Sequence, residues 1–275
     1  MATEPLTRLL KSTNKAAFER ATKHPFLNRA GQGQISKKVL SEWLAQDHLY
    51  AQAYVRFIGG LLTKVTLRPC NPNTKQCGTP TTEQRVFDIL VEALVNIQRE
   101  LRFFDDVAKQ DGLDLTAMPA SATNEPGDCG PGSNIFGASP ITHAYIDLFM
   151  SATSPGVSLL EGMTVLYATE YCYLQAWRYA ADVMAQCSSC VSGASPSSFS
   201  AGHERDLDGG SLRRQFIPNW TSPEFEKFVN TIGDVLDELA GRVKGAEEGE
   251  RERGKCLAWW KQVLWLEERF WPNVS

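Results

Sequence analysis

Three acidic residues lie where a helix of a globular protein normally buries aliphatic side chains. Residues 36–66 carry apolar side chains at the spacing of a helix with one buried face, and Asp47 lies on that face. Glu170 and Glu267 interrupt the apolar stripes of two further helices in the same way. Burying an ionised carboxylate is costly unless it is paired, so such residues often serve chemistry or binding. The alternative is a structural acid tied to an arginine or to a helix terminus.

Aromatic residues accompany the three acids. Tyr50 and Tyr54 follow Asp47 on the same face, at about one and two turns. If the three stripes face a common interior, the acids line a cavity walled by tyrosine and tryptophan rings. Like charges in such a cavity raise one another's pKa, so some of the carboxyls are protonated near neutral pH. This cavity suits a flat, neutral or weakly basic heteroaromatic ligand, because rings stack on it while the acids bind its donors or move protons.

Metal and haem chemistry are less well supported. A helical di-iron site pairs a glutamate with a histidine three residues later, and none of His24, His48, His143 and His203 has such a partner. A haem would need an axial ligand, for which His24 and His48 are the candidates against packing or surface roles. The chain has no Gly-rich phosphate loop and no serine-nucleophile motif. We therefore expect neither a metal nor another cofactor.

Composition excludes several classes of protein. The 275 residues are 43% hydrophobic and 22% charged, with a net charge of −4, which suits one large domain or two small ones. The mildly acidic balance predicts no nucleic-acid partner. No apolar run approaches the roughly 20 residues of a membrane span. The N-terminus lacks the apolar core of a secretory signal. We expect a cytosolic protein that does not bind a membrane.

The seven cysteines do not form a recognisable framework. Their number is odd, and no export signal accompanies them. Cys187 and Cys190 form a CxxC within a Ser/Gly-rich loop that lacks the strand and helix of a redox motif, and Cys70 and Cys77 are too widely spaced for zinc. The cysteines are therefore predicted to be free thiols.

Helices must position the acids, because the chain shows no sustained alternation typical of strands. A first helix ends at Pro25, and further helices are predicted at residues 36–66, 82–107, 141–152, 156–185, 222–243 and 256–271. Ser36 and Ser222 are predicted N-caps. The segments near 68–81, 112–139 and 186–214 are expected to be loops, and 244–255 a solvated link. The predicted fold class is all-α, a bundle of roughly seven or eight helices around one core.

Four short motifs occur in the order in which a known helical family has them. They are His24–Phe26, Leu44–Tyr50, Trp220–Phe225 and Glu267–Trp271. In these motifs and in helix order the chain resembles the TenA/thiaminase II family, which has a haem-oxygenase-like fold. The resemblance implies a single helical domain over residues 1–275, in which the three long loops are insertions. It also implies a homodimer or homotetramer.

This resemblance implies a site for an aminopyrimidine. Asp47 aligns with the family's aspartate that holds the ring nitrogen and exocyclic amine, and Tyr50 lies beside it. Tyr145 aligns with the tyrosine of the short middle helix. Glu267 aligns with the family's proton-transfer glutamate. Trp220 falls where the family usually has a tyrosine.

The aligned nucleophile is the main departure from the family. The best-studied members have a cysteine where this chain has Glu170, and Cys172 points about 200° further round the helix. The pattern resembles the Cys-less, Glu-bearing branch, which is associated with salvage of thiamin breakdown products. Because a carboxylate is a much weaker nucleophile than a thiolate, Glu170 is expected to act as a general base for water or to bind the substrate amine.

The resulting hypothesis is an enzyme without a cofactor. It hydrolyses an aminomethyl- or formylaminomethyl-pyrimidine to 4-amino-5-hydroxymethyl-2-methylpyrimidine. Asp47 anchors the ring, Glu170 and Glu267 manage protons, and the aligned aromatic residues wall the site. Two alternatives remain: a pyrimidine-binding or regulatory protein without turnover, and an oxidase that shares the fold.

Overall fold

Every regular element that the structure describes is helical. The computed structural model describes residues 4–67, 80–118, 136–189, 203 and 205–274, and no strand occurs among them. The helices are α1 Leu6–Ser12, α2 Lys15–Thr22, α3 Pro25–Gly31, α4 Lys37–Leu62, α5 Thr82–Asp111, α6 Pro140–Ala152, α7 Leu159–Ser189, α8 Ile217–Trp220, α9 Pro223–Gly241 and α10 Ala246–Phe270. A π-helical turn, Leu212–Phe216, precedes α8. The predicted all-α fold is confirmed.

The two predicted serine caps are present. The Ser36 hydroxyl accepts a hydrogen bond from the Val39 backbone N–H, and α4 begins at the next residue. The Ser222 hydroxyl accepts from the Phe225 N–H, and Pro223 occupies the first position of α9. These caps set the starting points of two helices that border the site described below.

The N-terminal region differs from the single helix that was predicted. Asn14 adopts a left-handed conformation with φ of 56° and separates α1 from α2. Pro25 begins α3 instead of ending a helix, because proline lacks an N–H and the first helical position does not need one. The His24 ring caps the same helix by accepting from the Phe26 N–H at 3.2 Å.

The predicted link at 244–255 is wrong, since α10 already begins at Ala246. Alanine, glutamate, arginine and lysine dominate this run, and their high helix propensity outweighs the cost of its glycines. The run is also held in place, because Glu252 accepts hydrogen bonds from the Ser158 hydroxyl and the Lys255 ammonium. The charge run is therefore solvated only on the outer face of this helix, and not along its whole length.

The predicted loop at 186–214 is partly helical. Helix α7 continues to Ser189, and the π-helical turn begins at Leu212. Residues 190–202 and 204 of this loop lie outside the described residues, as do most of the predicted loops at 68–81 and 112–139. The division of the chain into one domain stays a prediction.

The core consists of two hydrophobic clusters that α4 and α7 connect. The larger cluster joins α1, α2, α4, α5, α6, α7, α9 and α10, and the smaller joins α3, the start of α4, the ends of α5 and α7, and α8. Helix α7 packs against α10, α9 and α3. At Gly31 a Cβ would lie 2.4 Å from the Ala180 carbonyl oxygen, so only glycine permits this approach of α3 to α7. None of the helices in the described ranges combines the length and the apolar character of a membrane span.

Candidate functional site

A cavity of about 410 Å³ lies where the two hydrophobic clusters meet. Its wall is built by α4, α5, α7, the end of α8 and the first turns of α9. The residues on this wall that carry polar or aromatic groups of interest are Asp47, Tyr50, Tyr54, Glu100, Phe104, Glu170, Tyr173, Asn219 and Trp220. The volume falls in the range of about 300–1,000 Å³ that is typical of small-molecule sites.

Asp47 is buried on the wall that α4 contributes. Only 3% of it is exposed, and the Tyr173 hydroxyl donates a hydrogen bond to Asp47 Oδ2 at 3.1 Å. Burial, and after it the negative charge of Glu100, raise the pKa of Asp47 well above its ordinary value. Tyr173 was not predicted as a site residue, although it lies three residues after Glu170 and therefore on the same face of α7.

Glu170 is partly exposed on the α7 wall. The Tyr54 hydroxyl donates to Glu170 Oε1 at 2.5 Å, which fixes the carboxyl group. Burial raises the pKa of Glu170 to about 7, the Tyr54 bond lowers it, and the charge of Glu100 raises it. Both protonation states of Glu170 are therefore accessible near neutral pH, as a general acid or base requires.

Glu100 supplies a third carboxyl group from α5. Its Oε1 accepts a hydrogen bond from Trp220 Nε1, and its Oε2 accepts from Asn219 Nδ2 at 3.1 Å. Burial raises the pKa of Glu100 to about 7, although these two bonds lower it. Sequence reasoning missed Glu100, although it carries the signal that identified the others. It lies on the apolar face of α5, three residues after Ile97 and four before Phe104.

Tyr145 and Glu267 do not line this cavity. They form a buried pair in which the Tyr145 hydroxyl donates to Glu267 Oε1 at 2.5 Å. Tyr50, which does line the cavity, packs edge-on against Tyr145 with a centroid distance of 5.1 Å. The predicted three-acid cavity is therefore corrected: Glu267 lies one layer behind the wall. The pKa of Glu267 is raised to about 8, mainly by burial; the bond from Tyr145 lowers it and the charge of Glu170 raises it.

Trp220 joins the cavity to a cluster of tryptophans. Its ring lies 4.3 Å from that of Trp177 and 5.9 Å from that of Trp43, measured between centroids. Four of the predicted site residues thus share the cavity wall, namely Asp47, Tyr50, Glu170 and Trp220. The catalytic and binding roles assigned to them, and to Tyr145 and Glu267, stay predictions.

The structural alternative for the acids is not supported. Among the described residues, no ion pair joins Asp47, Glu100, Glu170 or Glu267 to a lysine, arginine or histidine. Each is held instead by neutral hydrogen-bond donors. The three that line the cavity, Asp47, Glu100 and Glu170, are available to a ligand's own donors and positive charge.

Cys172 is poorly placed to replace the absent nucleophile. It is fully buried in the larger hydrophobic cluster and does not line the cavity. Burial, with the charge of Glu267, raises the pKa of its thiol well above the ordinary value, which disfavours the reactive thiolate. In the described part of the chain no three His, Cys, Asp or Glu residues are grouped to hold a metal ion. Cys187 is a free thiol, and Cys70, Cys77 and Cys190 lie outside the described residues.

Comparison with known sequences points to one family. Residues 11–68 match the model of the TENA/THI-4/PQQC family. A Fusarium pseudograminearum protein named "Probable transcription factor" is 30% identical over 270 residues, which is 93% of this chain and 49% of that protein. A soybean "Probable bifunctional TENA-E protein" is 20% identical over 174 residues, 63% of each chain. The chain thus spans about half the length of the Fusarium relative and less than two thirds of the soybean one.

Solved structures show the same fold. A TenA homologue from Pyrococcus furiosus superimposes with a TM-score of 0.65 and 24% identity, covering 97% of this chain and 98% of its own. A TenA homologue from Pseudomonas syringae pv. tomato gives a TM-score of 0.62 at 12% identity, covering 97% and 93%. The fold and its interior cavity define an all-helical protein of the haem-oxygenase-like type. The resemblance predicted from the four motifs is confirmed: residues 11–68 match the TENA/THI-4/PQQC family model, and the TenA homologues share the fold.

Proposed function

We propose that this protein is a cytoplasmic aminopyrimidine hydrolase of thiamin salvage that belongs to the Cys-less, Glu-bearing branch of its family. Its substrate is an aminomethyl- or formylaminomethyl-pyrimidine and its product 4-amino-5-hydroxymethyl-2-methylpyrimidine. The observation that carries this proposal is the cavity itself, where Asp47 and Glu170 are held by tyrosine hydroxyls and not by basic residues.

Asp47 would recognise the aminopyrimidine edge. Tyr173 occupies one side of Oδ2, which orients the carboxyl group towards α7. Its raised pKa favours the protonated acid. A protonated carboxyl can accept from an exocyclic amine with one oxygen and donate to a ring nitrogen with the other. Tyr50 and Trp220 provide ring surfaces beside it for stacking.

Glu170 would activate water for the reaction. For the protonated amine, the oxygen of water bonds to the methylene carbon while the carbon–nitrogen bond breaks and ammonia leaves with the electron pair. The water proton passes to Glu170 and then to the ammonia, which departs as ammonium. A pKa of about 7 suits this exchange, because the group gains and loses a proton readily at the working pH.

Glu267 would act from behind the wall. With a pKa of about 8 it is mostly protonated at neutral pH, and it holds the hydroxyl of Tyr145. Tyr145 in turn supports the ring of Tyr50 on the cavity wall. We assign this pair to positioning Tyr50 and to holding a proton close to the site, with no direct contact to the substrate.

Ammonia release from purified protein and aminomethyl-pyrimidine tests the proposal. The wild type should release stoichiometric ammonia, and Glu170→Gln should be slower by about 10²-fold or more, because general base catalysis contributes about 10²–10⁴. Asp105→Asn is the control: it removes an acid that is exposed on α5 and lies outside the cavity. Release by Glu170→Gln at the wild-type rate would contradict the role of Glu170.

The comparisons favour one second candidate, a pyrimidine-binding regulator. The Fusarium relative carries the name of a transcription factor and is about twice as long as the aligned region. The same assay separates the two functions. Tight binding of the pyrimidine without ammonia release would support the regulator and contradict the enzyme.

A further inference from the structure

Glu100 is a cavity carboxyl, held by hydrogen bonds, that neither the sequence prediction nor the proposed reaction uses. We propose that Glu100 makes the cavity selective for a cationic ligand, so that the ammonium form of aminomethyl-pyrimidine binds in preference to the neutral formylaminomethyl- and hydroxymethyl-pyrimidines. This inference rests on the proposed function, because it decides between the two substrates that the proposed site would accept.

Two hydrogen bonds favour the carboxylate form of Glu100, against burial, which raises its pKa to about 7. Trp220 Nε1 donates to Oε1 and Asn219 Nδ2 donates to Oε2, so each oxygen serves as an acceptor. Protonation would turn one of these oxygens into a hydroxyl, which is a weaker acceptor for its donor. Trp220 is itself 2% exposed and fixed between the rings of Trp177 and Phe216, so the donor cannot easily turn away.

No basic group inside the cavity balances this carboxylate. Lys227 and Arg99 on the wall are exposed to solvent, and neither forms an ion pair with Glu100. The wall acids Glu92 and Glu224 are exposed as well. The charge of Glu100 reaches across the cavity, since it raises the pKa of both Asp47 and Glu170. The interior is therefore a region of negative potential enclosed by aromatic rings.

A ligand's charge decides how well it fits such a region. A neutral pyrimidine displaces water from Glu100 and leaves the carboxylate desolvated without a counter-charge. An ammonium group supplies both the missing charge and hydrogen-bond donors. The product of hydrolysis is neutral, so the same carboxylate that favours the amine also favours release of the alcohol.

Titration calorimetry with aminomethyl-pyrimidine and hydroxymethyl-pyrimidine tests the inference. The parent protein is the Glu170→Gln variant, which should hydrolyse the amine too slowly to consume it during the measurement. We expect the aminomethyl-pyrimidine to bind at least tenfold more tightly than hydroxymethyl-pyrimidine. Adding Glu100→Gln should weaken the binding of aminomethyl-pyrimidine at least tenfold. It should change the affinity for hydroxymethyl-pyrimidine less than threefold. Adding Asp105→Asn, which removes a charge from the same helix outside the cavity, should leave the ratio within twofold.

Trp220→Phe provides a second variant that keeps an aromatic ring. It removes the N–H that holds Glu100 and should reduce the ratio of the two affinities at least threefold, whether or not Glu100→Gln folds. Equal affinities in the parent, or a ratio unchanged by both Glu100→Gln and Trp220→Phe, would overturn the inference and leave the proposed function intact. Failure of the parent and the wild type to bind either pyrimidine would overturn both.

Discussion

Replacing Glu267 by glutamine should change how the stability of the protein depends on pH. Glu267 is 4% exposed, and burial raises its pKa to about 8 from an ordinary value of 4.5. Between these two pH values the folded protein binds more protons than the unfolded chain. The free energy of unfolding must therefore fall as the pH rises. Glutamine stays neutral and still accepts the hydrogen bond from Tyr145, so the variant should lack this contribution.

The size of the effect follows from the two pKa values. The interval from 4.5 to about 8 corresponds to about 5 kcal/mol when the group is fully ionised in both states. Only part of this free energy is lost between pH 5 and pH 8, and part of the raised pKa comes from the charge of Glu170. We therefore expect the free energy of unfolding to fall by about 3 kcal/mol over this pH interval. For a chain of this size that is about 6–12 °C in Tm.

Thermal melts at pH 5, 6, 7 and 8 measure this difference directly. Wild type and Glu267→Gln should have similar Tm values at pH 5, and the variant should become the more stable of the two towards pH 8. Glu250→Gln, on an exposed position of the same helix, is the control and should follow the wild type. Parallel curves for wild type and Glu267→Gln would refute a buried carboxyl of raised pKa.

Two further predictions concern activity and assembly. Ammonia release should rise with pH through about 7 as Glu170 loses its proton, and fall through about 8 as Glu267 ionises, whereas a profile flat from pH 5.5 to 9 would contradict both assignments. Light scattering should give at least twice the monomer mass of 30.5 kDa, because the family resemblance implies a dimer or tetramer; a monomer at micromolar concentration would contradict that proposal.

Local signals predicted much of the frame around the cavity. Ser36 and the apolar spacing after it were sufficient to place α4 and to mark Asp47 as an acid on its buried face, and the structure has both. The same reading placed the start of α10 ten residues too late. There charge density obscured a helix whose first turns pack through Glu252 against the start of α7.

The limits of the sequence are clearest for Glu100 and Glu267. The spacing of Glu100 on α5 was visible, but its partner Trp220 lies 120 residues away, and only the packing of α8 against α5 brings them together. Helical periodicity identified Glu267 as buried. It carried no information on depth. Glu267 bonds to Tyr145, whose ring packs against Tyr50 on the cavity wall, and Glu267 itself does not line the cavity.

The central claim is that the carboxyls of α4, α5 and α7 enclose a binding site for an aminopyrimidine. A crystal structure of the protein with saturating hydroxymethyl-pyrimidine tests it most directly. We expect a ring in this cavity, with its ring nitrogen and exocyclic amine within hydrogen-bonding distance of Asp47 and its hydroxymethyl group towards Glu170. An empty cavity at saturating ligand, or a pyrimidine bound elsewhere on the protein, would contradict it.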